Sequence, residues 1–397
     1  MVARAVPAPE YAVFGAFWSV ALVIGLGAFL PLELELARVV HLRPDGAPLP
    51  PGTVRAAAGV TGLTLLVLLA GWPLLGPVLG GSPALLGALV VLVLASGPQF
   101  VLRGLLLGRG RLLAHGVVLL LDALVRCLLA GVVVVLGPAG TAADLGWTLV
   151  AAVVLAHVPL LAWLLRRGRS GAPDPGPPVQ AAAIGHLLVG TLCGQALLNA
   201  APVLVTAAAA GPDERVLAAQ FVAGFTLVRL PLFVAVPLQG ALVPALTGAA
   251  EVPGGVRRLA LRTAGAVAGL AAAGALLGWV AGPLLVRLLF GDRYVLDGGA
   301  MALLAAGSGL YLGLLVTAQA LLAAARHRDV ALTWTAGLAV AAVVFAAVPG
   351  LVPRAGLAFA IGSGAAFVVS LALLLRRPPV PARSPAAAGA DPNGDRG

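Results

Sequence analysis

The sequence predicts an all-α fold: a polytopic transmembrane helical bundle of about eleven spans, in two lobes of five and six helices around a central cavity. Three observations carry this. Of the 397 residues, 60% are hydrophobic and 10% charged, with a mean hydropathy of +1.05; a water-soluble domain carries roughly 25% charged residues. The apolar residues come in continuous runs close to the ~20 residues that cross a bilayer as a helix, far longer than a barrel strand. The arginines fall between these runs on alternate sides, as topology signals do.

In chain order, run 13–33 is followed by Arg38, Arg43 and Arg55. Runs 56–79 and 84–107 lead to Arg103, Arg109 and Arg111, and runs 112–136 and 146–165 end at Arg166, Arg167 and Arg169. Runs 181–208 and 217–245 precede Arg257, Arg258 and Arg262. Runs 262–288 and 298–322 precede Arg326 and Arg328; runs 331–349 and 355–375 precede Arg376, Arg377, Arg383 and Arg396. These alternate connections hold eighteen arginines, and the opposite ones hold five: Arg4, Arg215, Arg287, Arg293 and Arg354. The rich side is expected in the cytoplasm, so the C-terminus reads as inside and the N-terminus as outside.

The domain organisation follows. Residues 1–165 form an N-terminal lobe of five spans. Segment 166–180, RRGRSGAPDPGPPVQ, reads as a cytoplasmic linker from its charge and its Pro and Gly content. Residues 181–377 form a C-terminal lobe of six spans, and 378–397 lacks any apolar period, as a disordered cytoplasmic tail does.

Several function classes drop out. The net charge of +10 comes from 25 arginines, and lysine is absent. There is accordingly no Walker phosphate loop and no Schiff-base lysine. Basic patches interleaved with aromatics, the mark of nucleic-acid binding, are missing. The five histidines have no ligand spacing, and Cys127 and Cys193 are isolated in apolar stretches, so neither a metal site nor a disulfide frame is expected. No cofactor is indicated, and the chain does not read as an enzyme. The glycines at 265, 269, 274, 278 and 282 have the small-xxx-small spacing of close helix packing.

The candidate binding residues are polar groups at membrane depth, because a charge there is costly unless it faces protein or a wet cavity. Arg126 and Arg229 lie near the middle of their spans. Asp122 precedes Arg126 by four residues and shares its helix face. Gln99 and Arg103 share a face nearer the cytoplasmic end, where Arg103 could also snorkel to headgroups. Arg229 has no acidic neighbour on its own helix; it reads either as facing the cavity or as hydrogen-bonded to a span bearing Gln195 or Asn199. Glu33 and Glu35 read as an inner helix end able to pair with Arg38. Trp18, Trp72, Trp147 and Trp163 read as interfacial anchors.

The stretches EYAVFGAFWSVALVIGLGAFLPLELELAR (10–38), FVAGFTLVRLPLFVAVPLQGALVPAL (221–246), LLFGDRYVL (288–296) and LLVTAQALLAAARHRDVALTW (314–334) resemble the multidrug/oligosaccharidyl-lipid/polysaccharide flippase superfamily. Within it they resemble the Wzx-like polysaccharide exporters. The resemblance implies two lobes around a cavity and export of undecaprenyl-pyrophosphate-linked glycans across the plasma membrane. It also implies contact with membrane lipids and with a polysaccharide polymerase as partner. Arg229 and Arg126 would meet the anionic headgroup, with Asp122, Arg103, Gln195 and Asn199 beside them. The family's first helix has no counterpart in this reading. Two other expectations stay open: a cation-coupled multidrug exporter of the same superfamily, which needs an unpaired carboxylate at membrane depth, and a non-transporting scaffold in polysaccharide synthesis.

Overall fold

The structure is a computed structural model describing residues 2–44, 47–136, 140–167, 176–250, 255–324 and 326–376. Among these residues no strand occurs, and eleven helices are long and apolar enough to cross a membrane. They are α1 (Ala8–His41), α2 (Thr53–Val78), α3 (Pro83–Gly108), α4 (Leu112–Leu136), α5 (Ala142–Arg167) and α6 (Ala181–Ala208). Then follow α7 (Pro212–Ala250), α8 (Gly255–Phe290), α9 (Gly298–Ala323), α10 (His327–Ala347) and α11 (Leu351–Arg376). Each apolar run read from the sequence is one of these helices. Segment 168–175 of the linker and the tail 378–397 lie outside the described residues.

Local chemistry sets the helix ends. Ser82 caps α3, its hydroxyl accepting from the Leu85 N–H at 3.3 Å, with Pro83 in the first turn. Thr141 and Asp144 form a reciprocal box before α5: Thr141 N–H donates to Asp144 at 2.9 Å, and Asp144 N–H to the Thr141 hydroxyl at 3.2 Å. The Glu10 carboxylate of α1 accepts from the Ala142 N–H at 2.7 Å, tying the two helices at one membrane face. The tight connection between α3 and α4 needs Gly110 at φ +66°, a left-handed conformation that closes α3 through Arg111 N–H to Leu106 C=O at 2.9 Å.

Two hydrophobic cores organise the packing. One is built chiefly from α1 to α5 around Phe17, Phe29, Leu32, Leu36, Leu89 and Phe100. The other joins α6, α7, α9, α10 and α11 around Phe221, Phe225, Tyr311, Leu314 and Phe359. Helix α1 belongs to both: Phe17 and Phe29 sit in the first core, Tyr11 and Ala12 in the second. A two-lobe helical bundle with α1 between the lobes is the result.

Inside α1 the backbone leaves α geometry over Val23–Phe29, a π-helical segment in which Leu30 N–H reaches back to Gly25 C=O. The cause is Pro31, which has no N–H for the carbonyl four residues earlier, that of Gly27. That freed carbonyl is taken by the Thr191 hydroxyl of α6 at 2.7 Å. A freed backbone group at membrane depth requires such a partner.

Candidate functional site

The polar residues expected to line one cavity fall into two separate clusters, a correction to the sequence reading. The first lies in the N-terminal half, beside the π segment. A cavity of about 170 Å³ is bounded by Trp18, Leu22 and Gly25 of α1, Ser96, Gln99, Phe100 and Arg103 of α3, Asp122 and Arg126 of α4, and Leu149 and Val153 of α5. Its charges are matched in pairs. Arg126 Nη2 lies 2.5 Å from Asp122 Oδ2, within one helix face as the four-residue spacing predicts. Its guanidinium also sits over the Trp18 ring, 5.1 Å from the centroid. Trp18 is therefore a wall of the cavity rather than an interfacial anchor.

Arg103 does not snorkel to headgroups. It is largely buried, pairs through Nε with Glu33 Oε2 of α1 at 3.0 Å, and covers the Phe100 ring at 4.7 Å. Glu33 was expected at a helix end; because α1 continues to His41, it lies inside the span, 3% exposed. Glu35 keeps the expected partner, accepting from Arg38 at 2.8 and 2.9 Å. The sequence reading missed Ser96 and Phe100 and gave Glu33 and Trp18 other roles. The signal available was the run LPLELELAR, whose apolar spacing continues the helix past both glutamates.

Three buried polar atoms of the cavity wall make no hydrogen bond: Asp122 Oδ1, Arg126 Nε and Arg103 Nε, the last held by its ion pair with Glu33. Asp122 is 8% exposed and spends Oδ2 on Arg126, leaving Oδ1 buried and without a hydrogen bond. His157, fully buried on α5, hydrogen-bonds through Nδ1 to the Val153 carbonyl of its own helix at 2.9 Å.

The second cluster lies on α6 and α7. Arg229 donates from Nη1 to Asn199 Oδ1 at 2.8 Å. Asn199 in turn donates to the Gln195 side-chain oxygen at 2.9 Å and to the Gln195 carbonyl at 3.0 Å. The guanidinium covers the Phe225 ring at 4.6 Å. The interhelical hydrogen bond foreseen for Arg229 is thus present, with both named partners in the chain. Arg229 is 3% exposed and has no carboxylate partner among the described residues. Its Nε is buried without a hydrogen bond. One cluster is electrically balanced and the other carries an unmatched cation.

Of the five glycines expected to let α8 pack closely, three do so. A Cβ at Gly274, Gly278 or Gly282 would meet Ala305 or Met301 of α9, whereas Gly265 and Gly269 face open space.

No family model matches the chain. Among solved structures it is similar to an inward-facing multidrug resistance MATE family transporter of the MOP superfamily, with a TM-score of 0.65 at 15% identity, covering 95% of this chain and 92% of that one. It is similar too to the Vibrio cholerae MATE transporter VcmN in its bent form, with a TM-score of 0.54 at 17% identity, covering 92% and 86%. At these identities the likeness shows the fold: a multi-pass membrane bundle of the MATE type. Among curated relatives, the uncharacterized protein Rv3630 of Mycobacterium tuberculosis (strain ATCC 25618 / H37Rv) is 28% identical over 362 residues, 84% of this chain and 78% of its own. The uncharacterized protein Rv1510 of the same strain is 30% identical over 399 residues, 95% of this chain and 87% of its own. The chain belongs to the family of Rv1510, and it carries the fold of the MATE transporters.

Proposed function

We propose that this protein is a membrane exporter of the multidrug/oligosaccharidyl-lipid/polysaccharide superfamily. In this reading it translocates a lipid-linked oligosaccharide or polysaccharide precursor across the plasma membrane by alternating access between its lobes. The MATE-type fold supports the exporter class, and the sequence resemblance to Wzx-like exporters supports the substrate. Lobes 1–165 and 181–377 would rock about the linker 166–180, with the C-terminus in the cytoplasm and the N-terminus outside. An undecaprenyl-pyrophosphate-linked glycan fits an anionic, amphipathic cargo, and a polysaccharide polymerase would receive it.

The observation that carries the reading is Arg229. A guanidinium buried at membrane depth costs several kcal/mol unless matched, and the described residues offer it one amide and an aromatic face. A pyrophosphate supplies the missing charge in the bidentate geometry that arginine favours. The drug-exporter alternative needs an unpaired carboxylate, and both carboxylates beside the N-terminal cavity, Asp122 and Glu33, are in ion pairs. Arg126, Arg103 and Asp122 would then contact the sugar portion or hold the α1–α3–α4 corner.

The test is Arg229→Ala in proteoliposomes carrying a fluorescent lipid-linked oligosaccharide. Loss of a charge-assisted contact of ~1.5–3 kcal/mol predicts that translocation falls roughly tenfold or more. Removing an unmatched buried charge should leave the melting temperature unchanged or raise it. Unchanged translocation would take Arg229 off the substrate path; a large drop in melting temperature would make it a structural residue.

A further inference from the structure

The C-terminal lobe holds a second cavity, distinct from both polar clusters. It measures about 80 Å³, and every lining residue is alanine, leucine or phenylalanine. Its walls are one face of α6 from Ala196 to Leu204, α10 from Leu338 to Phe345, and α11 from Ala355 to Phe359. Helix α6 ends at Ala208, α10 ends at Ala347 and α11 begins at Leu351, so all three walls start near the same membrane face and descend from it. Along α6 the lining covers eight residue steps, about 12 Å of depth. The groove therefore runs along the membrane normal, the direction of a lipid chain. Its mouth is at Leu204 and Ala342, both exposed.

At the top of this groove stands Arg354. It is the fourth residue of α11 and half-buried, lying over the Phe345 ring at 5.4 Å from the centroid. Its Nε is buried without a hydrogen-bond partner, and no carboxylate pairs with it among the described residues. The first turn of α11 has no acidic residue to balance it, at the helix end where a cation is disfavoured. A positive group at headgroup level above an entirely apolar slot is complementary to one kind of molecule.

We propose that the α6–α10–α11 groove is a binding site for an anionic membrane phospholipid, one acyl chain lying in the groove and the phosphate on Arg354. This does not rest on the exporter reading, because the occupant is a lipid of the surrounding bilayer. The apolar and the ionic requirements are separable: the groove takes any chain, and Arg354 chooses the headgroup. Charge near the membrane surface is worth enough per arginine to give roughly a fivefold preference for an anionic over a zwitterionic headgroup.

The experiment is native mass spectrometry of the full chain released from vesicles of mixed phosphatidylglycerol and phosphatidylcholine. Wild type is expected to retain phosphatidylglycerol over phosphatidylcholine by roughly fivefold. Arg354→Gln should bring that ratio close to one without lowering phosphatidylcholine retention, and Ala342→Phe, which obstructs the mouth, should lower retention of both. Ala342 is exposed and Arg354 half-buried, and undiminished phosphatidylcholine retention by Arg354→Gln shows that this variant is folded. Equal retention of the two lipids by wild type overturns the proposal. So does an undiminished ratio in Arg354→Gln, or a chain dimer in place of bound lipid.

Discussion

Asp122 and Arg126 illustrate what a buried pair demands. Their spacing already places them on one face of α4, and they meet at 2.5 Å. Truncating one partner strands the other, at a cost of about 3–5 kcal/mol for a fully buried pair; Arg126 is a quarter exposed, so the lower end applies. Thermal unfolding in detergent should therefore show Asp122→Ala strongly destabilised. The double substitution Asp122→Leu with Arg126→Leu should recover most of the loss, since two apolar side chains leave no orphan charge. Equal losses in the single and double variants would mean that the two charges do not act as a unit. The Glu33–Arg103 pair obeys the same physics but joins residues seventy positions apart, across α1 and α3. No local spacing announces such a pair.

Helix packing shows the difference between a repeated motif and a used one. The glycine stripe of α8 recurs every four or five residues, yet α9 approaches only its later part. At Gly278 an added Cβ would lie 2.7 Å from the Met301 carbonyl oxygen. Gly278→Ala must then push α8 and α9 apart and lose about 1–3 kcal/mol. Gly269→Ala meets nothing within 4 Å and should gain about 0.5–1 kcal/mol by lowering the chain's freedom. Opposite shifts in melting temperature are the expected result; the same shift at both would refute this packing. In α1 the punctuation is Pro31: it frees the Gly27 carbonyl, and Thr191 of the other lobe accepts the task of satisfying it. Proline is visible in the sequence, its rescuer is not.

For the whole molecule the decisive feature is that α1 serves two cores. Its Tyr11 packs edge-on against Tyr294, with ring centroids 5.1 Å apart, and Gly15 faces Val222 of α7. A Cβ at position 15 would lie 3.4 Å from the Val222 Cβ, close to disulfide geometry. In a background with Cys127→Ser and Cys193→Ser, the pair Gly15→Cys and Val222→Cys should cross-link on oxidation. If the lobes must separate along this seam during alternating access, the oxidised protein should stop translocating and recover on reduction. A cross-linked protein that still exports would place the moving surface elsewhere.

The membrane-spanning, all-helical character of the chain follows from composition and run length alone, because a bilayer leaves the polar backbone of an apolar run no alternative to satisfying its own hydrogen bonds. The eleven helices and the Asp122–Arg126 pair were legible for the same reason: both depend on short-range periodicity. Helix ends were less so, as with α1, where apolar spacing carries on past Glu33 and Glu35. What the tertiary structure alone decided was the division of the buried arginines. It gave Arg103 the carboxylate of Glu33 from another helix in one lobe and left Arg229 with Asn199 in the other. Charge pairing between helices depends on which faces meet, and side chains far apart in sequence meet only when the bundle has packed.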